Sequence, residues 1–410
     1  MVLTQIKPSI KYIYVCPYCK NKLIPDKVIW QGIHVCYETI CENCNSEIIG
    51  DLPTGQGIID PCQVDKKKQV VFTESGKINK WFGEYFLYSL VNQNTEKVKV
   101  FKKVFKSRKD IIILNCIDVF YGHCVLKLLN AQRHLEDNRD LGLVIIAPKF
   151  LEWMLPDGIA ESWIVDIPLR YGKNYYSYLN DWINRELKLF ETVYLSEAYS
   201  HPSRFDITNF TKIKKHDFSS DNIQVGFIWR EDRIWFNEYL SFLLRFLNIN
   251  LIGLIIQNLK IQILFKRIQN QFPNVEFVVV GFGTKTSFPK WIQDKRTNNF
   301  AISSEKELCK IYADSRLIIG VHGSNMLLPS GHAGMTLDLM PNTRWGNFAQ
   351  DILYHETNSR LASFRYRYLP FSTPTPQVAN IVITMLQTHN DFFRWNTDDL
   401  HSCFLSKNTK

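Results

Sequence analysis

No stretch of this chain offers the roughly 20 nearly uninterrupted apolar residues that a membrane-spanning helix needs. The most hydrophobic region, Tyr239 to Phe265, is broken by Arg245, Asn248, Asn250, Gln257, Asn258 and Lys260. Met1 to Tyr14 carries Lys7 and Lys11 and has no apolar core followed by small residues, so it does not read as a secretory leader. Together these absences predict a cytoplasmic protein, with peripheral membrane association left open. There is also no G-x4-G-K-[ST] phosphate loop and no G-x-G-x-x-G after a strand, which argues against P-loop chemistry and a dehydrogenase. Repeats and low-complexity tracts are absent. So is a strong charge bias: 49 basic against 40 acidic residues leave a formal charge of +9. That excess suits a nucleotide diphosphate, an acidic glycan, a nucleic acid or an anionic membrane, and does not choose among them.

What the chain does have is length and cysteine. At 410 residues it exceeds what one core usually serves, which predicts two or three domains. Five of its ten cysteines fall in the first 44 residues, and four of these form Cys16-x2-Cys19 and Cys41-x2-Cys44. A two-residue gap turns both sulfurs of a pair toward one point, and two such knuckles supply the four ligands of a structural Zn²⁺. Val28-Ile29-Trp30 and Ile33-His34-Val35 read as short strands around Gln31-Gly32, the layout of a zinc ribbon. Two disulfides are the competing reading, and they need an oxidising compartment. Cys36 and the scattered Cys62, Cys116, Cys124, Cys309 and Cys403 read as small buried hydrophobes.

The turn-formers of Asp51-Leu-Pro-Thr-Gly-Gln-Gly57 read as a linker. Beyond residue 110, short apolar runs alternate with helical stretches. Strands are expected at Ile111–Leu114, Leu143–Ala147, Trp163–Ile167 and Val193–Leu195, with a helix over Val125–Leu135. The pattern then restarts. Strands are expected at Val225–Trp229, Val275–Val280, Leu317–Val321 and Thr336–Leu339, and helices over much of Tyr239–Phe272, Glu305–Ala313 and Gln377–Phe393. This alternation predicts an α/β fold with two Rossmann-like doubly wound domains facing one cleft. The expected divisions are a zinc ribbon and linker over 1–57, domains over 58–215 and 216–376, and a C-terminal helix crossing back over 377–410. The basic run from Lys97 to Lys109 reads as a solvated lead-in to the next strand.

The chemistry concentrates where the strand ending at Val321 runs into His322-Gly323-Ser324-Asn325. Gly323 permits close backbone approach, and Ser324 or Asn325 can cap a helix whose N–H groups suit a phosphate. His322 can bond a phosphate or stabilise a leaving diphosphate, or simply satisfy a turn. Asp338 ends the next strand, placed to accept from a ribose. The run Val321-His322-Gly323-Ser324, followed by Asn325 to Pro329 and Leu337-Asp338-Leu339-Met340-Pro341, resembles the nucleotide-sugar half of GT-B glycosyltransferases. It is most similar to the His-Gly-Ala group that includes plant xylosyltransferases. Ser324 stands where that group usually has Ala, and Asp338 where Glu is commoner.

The resemblance implies further roles. Arg230 or Arg233, after the first strand of the second block, would contact the diphosphate, which the guanidinium fork matches. Gly281 and Gly283 would pack against base or ribose. In the first block, Asp118 and His123 are the candidates for a general base toward an acceptor hydroxyl. The implied activity is metal-independent transfer of a sugar from a nucleotide-sugar donor to a glycan or other hydroxyl acceptor, with zinc purely structural. The alternatives are a catalytically inactive GT-B-like protein that binds a glycan or partner, and a nucleic-acid-binding protein using the ribbon and the Lys97–Lys109 stretch. The latter leaves His322 to Pro341 unexplained, so no stable nucleic-acid partner is expected.

Overall fold

The computed structural model describes residues 3–73, 82–199, 202, 204–236, 246–247, 249–299, 301–353, 356 and 358–396. The chain is mixed α/β and divides into two compact units, Met1–Phe210 and Thr211–Lys410.

The first unit is built on a six-stranded sheet. Its strands are β1 (Thr4–Lys7), β9 (Val100–Val104), β10 (Asp110–Asn115), β11 (Gly142–Pro148), β12 (Glu161–Val165) and β13 (Thr192–Leu195), in the order β1-β13-β10-β11-β12-β9. The four central strands are parallel, and β1 and β9 close the edges antiparallel. The central strands are buried almost throughout, which is why they appear in the sequence as unbroken apolar runs. A hairpin, β2 (Tyr14–Val15) with β3 (Lys22–Leu23), precedes an antiparallel meander. The meander comprises β4 (Lys27–Trp30), β5 (Val35–Ile40), β6 (Glu47–Asp51), β7 (Gln63–Asp65) and β8 (Val70–Phe72).

The ribbon and the large sheet share one core. Cys16, Leu23, Trp30, Val35 and Tyr37 pack in the same cluster as Ile111, Ile113 and Trp163. The segment expected as a linker, 51–57, is for the most part buried: Asp51, Leu52 and Thr54 are inside, and β7 pairs with β6 beyond it. Turn-forming residues bend the chain here without freeing it, because the meander needs β6 and β7 side by side.

The basic run differs from expectation as well. It contains β9, an edge strand paired with β12. Lys102 bridges Glu161 at 3.1 Å and Glu186 at 2.8 Å, and Lys103 reaches Glu152 at 2.8 Å. Lysines on an exposed edge discourage pairing with another chain. The helix expected over Val125–Leu135 is two, Tyr121–Leu129 and Ala131–Asp137. They meet at Asn130, whose side-chain amide donates to the carbonyls of Leu126 and Lys127.

The second unit carries six parallel strands: β14 (Gln224–Trp229), β15 (Glu276–Phe282), β16 (Gln293–Thr297), β17 (Leu317–Val321), β18 (Met335–Met340) and β19 (Tyr366–Pro370). Their order is β16-β15-β14-β17-β18-β19. The chain therefore builds outward from β14 in one direction, returns, and builds outward from β17 in the other. Ligands of open parallel sheets bind at such a reversal, beyond the carboxyl ends of the strands. Phe227, Trp229, Trp235, Phe265 and Phe277 fill the core beneath. Helices Asn250–Gln269, Ile302–Asp314 and Thr375–Asn396 are present, the first within the stretch expected to be helical from Tyr239. Residues 239–245 of that stretch, and Cys403, lie outside the described residues.

Candidate functional site

At the reversal, the loops after β14 and β17 come together. Arg230 Nη1 donates to Asn325 Oδ1 at 2.6 Å, and Arg233 Nη1 donates to the carbonyl of His322. Gly323, at φ +148°, makes room for both guanidinium groups. A Cβ there would lie 2.6 Å from Arg230 Nη1 and 3.1 Å from Arg233 Nη1. Burial and the nearby charges of Arg230 and Arg344 pull the Arg233 guanidinium down to about 10. Cations held this close, with burial already opposing their charge, favour an anionic ligand. Asp232 supplies part of the balance through Arg230 Nε at 2.9 Å.

His322 sits just behind them, buried, on a carboxylate pair. Its Nδ1 lies 2.9 Å from Asp338 Oδ2 and 3.0 Å from Asp351 Oδ2. Tyr366 donates to Asp338 Oδ2 at 3.3 Å, and Tyr368 donates to Asp351 Oδ1 at 2.9 Å. Burial alone would lower the imidazole pKa, but the hydrogen bonds and charges of Asp338 and Asp351 outweigh it and push His322 up to about 9. At neutral pH the ring is therefore an imidazolium, with Nδ1 engaged and Nε2 as the nitrogen left to a ligand. Burial and the adjacent Asp351 push the Asp338 carboxyl up to about 8. Burial pushes the Asp351 carboxyl up, but the bonds to His322, Asp338 and Tyr368 and the charge of His322 together outweigh it and hold Asp351 low. One ligand atom from each of His322, Asp338 and Asp351 lies within 4.8 Å of the others, a set that also suits a divalent cation.

Several expected roles change in this geometry. Asp338 is fully buried against His322 and Tyr366, so its carboxyl group orients the imidazole and is not presented to a ribose. Ser324 is exposed and makes no cap, and Asn325 accepts from Arg230 instead. The helix that follows, Leu327–His332, is a short six-residue element, so anion binding here rests on the guanidinium groups. Gly281, next to the last residue of β15, and Gly283, just after it, have φ of +114° and +104°. The space beside Gly283 is taken by Glu231, whose carboxylate also pairs with Lys285 at 3.0 Å. His332 is buried, its Nδ1 3.2 Å from the Lys214 carbonyl.

Three participants escaped the sequence reading: Asp351, Arg344 and the Tyr366/Tyr368 pair. The tyrosines were the most accessible of them. They alternate along β19, and β19 pairs with the strand carrying Asp338, Tyr368 being the direct partner of Asp338. Asp351 lies in an irregular stretch with no periodicity to mark it.

In the first unit, Asp118 and His123 do meet. His123 Nδ1 is 3.4 Å from Asp118 Oδ1, and its side chain remains 39% exposed. Asp118 is buried, accepts from the backbone N–H of Val119 at 2.7 Å, and pairs with buried Lys127 at 2.9 Å. Burial pushes its carboxyl up, but Lys127 and His123 overcome this and hold it well below the usual range. So strongly stabilised an anion is a poor base. Asp118 orients, and His123 is the accessible imidazole.

The four cysteines converge. Cys16 Sγ lies 3.6 Å from Cys44 Sγ, and Cys19 Sγ 3.5 Å from Cys41 Sγ, with all four sulfurs within 4.8 Å. Both knuckles share one backbone pattern. Cys16 N–H donates to the Asn21 carbonyl and Lys20 N–H to that of Cys16; Cys41 pairs with Ser46, and Asn45 with Cys41, in the same way. Lys20 and Asn45 both turn with positive φ. This cluster can hold a metal ion such as zinc, and none of its cysteines is in a disulfide. No helix among the described residues is long and apolar enough to cross a membrane.

No protein-family model matches this chain, and no curated protein matches its sequence.

Proposed function

We propose that this chain is a glycosyltransferase of GT-B architecture, moving a sugar from a nucleotide-diphosphate donor to a hydroxyl acceptor. The observation that carries the reading is the convergence of Arg230 and Arg233 on the backbone at His322–Gly323, at the reversal point of the parallel sheet. A departing diphosphate gains negative charge as the glycosidic bond breaks. Preorganised cations stabilise that charge best where water is scarce. Arg230, Arg233 and the imidazolium of His322 supply three, so the chemistry needs no catalytic metal. For the acceptor hydroxyl, His123 oriented by Asp118 is the assigned base. The four cysteines bind a structural zinc ion, since a closed four-thiolate site leaves no open position for substrate.

The test is calorimetric titration with UDP, GDP, ADP, CMP and their sugar conjugates. One nucleotide should bind, and Arg233→Ala should weaken it at least tenfold, the loss expected when one partner of a buried charge pair is removed. A folded protein that binds none of them would exclude the enzyme reading.

A further inference from the structure

A second cluster of ligand-type side chains lies in the meander, and neither the four cysteines nor the proposed transfer uses it. His34 and Cys36 flank Val35 at the start of β5, and Asp51 ends β6 directly across from Cys36. His34 Nδ1 lies 2.7 Å from Asp51 Oδ1, and Cys36 Sγ lies 3.7 Å from the same oxygen. The three ligand atoms fall within 4.8 Å of one another, and all three residues are buried.

Charge sets the first argument. Asp51 is an interior carboxylate, and among the described residues its ion-pair partner is the His34 imidazole, with no lysine or arginine beside it. An interior carboxylate is costly unless it is neutralised. Geometry sets the second. Tetrahedral zinc ligands at 2.0–2.3 Å from the ion stand roughly 3.3–3.8 Å apart. The Cys36–Asp51 separation of 3.7 Å lies in that range, and the 2.7 Å between His34 and Asp51 would have to open by about 0.6 Å. The surroundings hold the donors in place. Asp51 Oδ2 accepts the backbone N–H of Cys62 at 2.9 Å. The His34 ring stacks on Phe86 at 4.3 Å and lies tilted against Phe82 at 4.1 Å, centroid to centroid. Such outer contacts fix the orientation of metal ligands.

We propose that His34, Cys36 and Asp51 form a second metal centre for a divalent ion of the zinc class. An imidazole, a thiolate and a carboxylate select a borderline ion over calcium or magnesium. Buried as it is, the centre clamps the start of β5 to the end of β6. The proposal does not rest on the glycosyltransferase reading.

The test is metal stoichiometry of the full chain, equilibrated with zinc, desalted, and measured by native and plasma mass spectrometry. The wild type should carry two ions. The Cys16→Ser/Cys19→Ser variant should lose one, and Cys36→Ser or His34→Asn should lose the other. A wild type with one ion or none overturns the proposal, as does a Cys36→Ser chain that keeps two. Should the buried variants misfold, cobalt substitution of the wild type decides. Two equivalents, the second adding a band of lower thiolate content, support the centre; a single four-thiolate spectrum overturns it.

Discussion

Raising the pH from neutral to about 10 should strip the proton from His322 and loosen the second unit. The ring's pKa stands at about 9 in the fold against an ordinary 6.5, a preference of about 3 kcal/mol for the folded imidazolium. Because the folded value is the higher, this contribution is complete below pH 6.5 and is lost as the pH rises through 9. Asp338 is raised too and acts with the same sign, since the fold holds a proton that the unfolded carboxyl releases. Asp351, held low, works only on the acid side, where its contribution disappears as the pH falls. Urea unfolding followed by tryptophan fluorescence, which reports on buried Trp229 and Trp235, should show the wild type losing its advantage over His322→Asn between pH 6.5 and 9.5. Carbon-13 labelling of the histidines would read the ring directly, with the variant assigning the signal. A His322 ring that titrates at or below 6.5, or parallel stability profiles for the two proteins, would refute the reasoning. A neutral ring would instead favour a cation on His322, Asp338 and Asp351.

Gly323→Ala forces a Cβ to within 2.6 Å of Arg230 Nη1 at a φ that L-residues rarely adopt. It should cost about 1–3 kcal/mol and weaken nucleotide binding, while Gly346→Ala, with nothing within 4 Å, should do neither; thermal denaturation and calorimetry read both. Lys127→Met removes the closest cation from the buried Asp118 carboxylate and should destabilise by about 3 kcal/mol. Adding Asp118→Asn should recover most of that loss in the same unfolding assay. If the four cysteines hold zinc as proposed, chelating it should raise hydrogen exchange throughout β2–β5 and around Trp30, with the second unit unchanged, because the ribbon shares its core with the first sheet.

The sequence marks the buried parallel strands clearly, since each is an apolar run with no polar face to interrupt it. It marks the cysteine knuckles equally well, because a metal site needs its ligands at fixed spacing. Edge strands are harder. β9 hides in a lysine run, and β16, Gln-Asp-Lys-Arg-Thr, is polar because one side of it faces solvent. The loop after β17 was legible through His322-Gly323, but the carboxylate pair beneath it was not. Asp338 and Asp351 meet only after a crossover whose geometry no local pattern encodes. Reading Asp338 as a ribose acceptor follows from its place at a strand end. Its burial becomes visible only when β19 lays two tyrosines alongside.

In the first unit, β1 is made long before the strand it pairs with. β1 lies against β13, and Lys7 caps helix Ser177–Leu187 through the carbonyls of Leu187, Lys188 and Phe190, the last 183 residues further on. The ribbon hairpin waits likewise for Asn115 and Gly172, which bond the backbone of Gly32 and Ile33. At ribosomal rates of 5–20 residues per second, roughly 10–40 s pass between the emergence of Lys7 and that of Phe190. Until β10 to β12 have emerged, Trp30, Val35 and Tyr37 have no sheet to cover them. A ribbon closed early by its metal would keep a defined shape while its apolar face awaits the sheet, whereas a metal-starved chain would expose that face to chaperones and to neighbouring nascent chains.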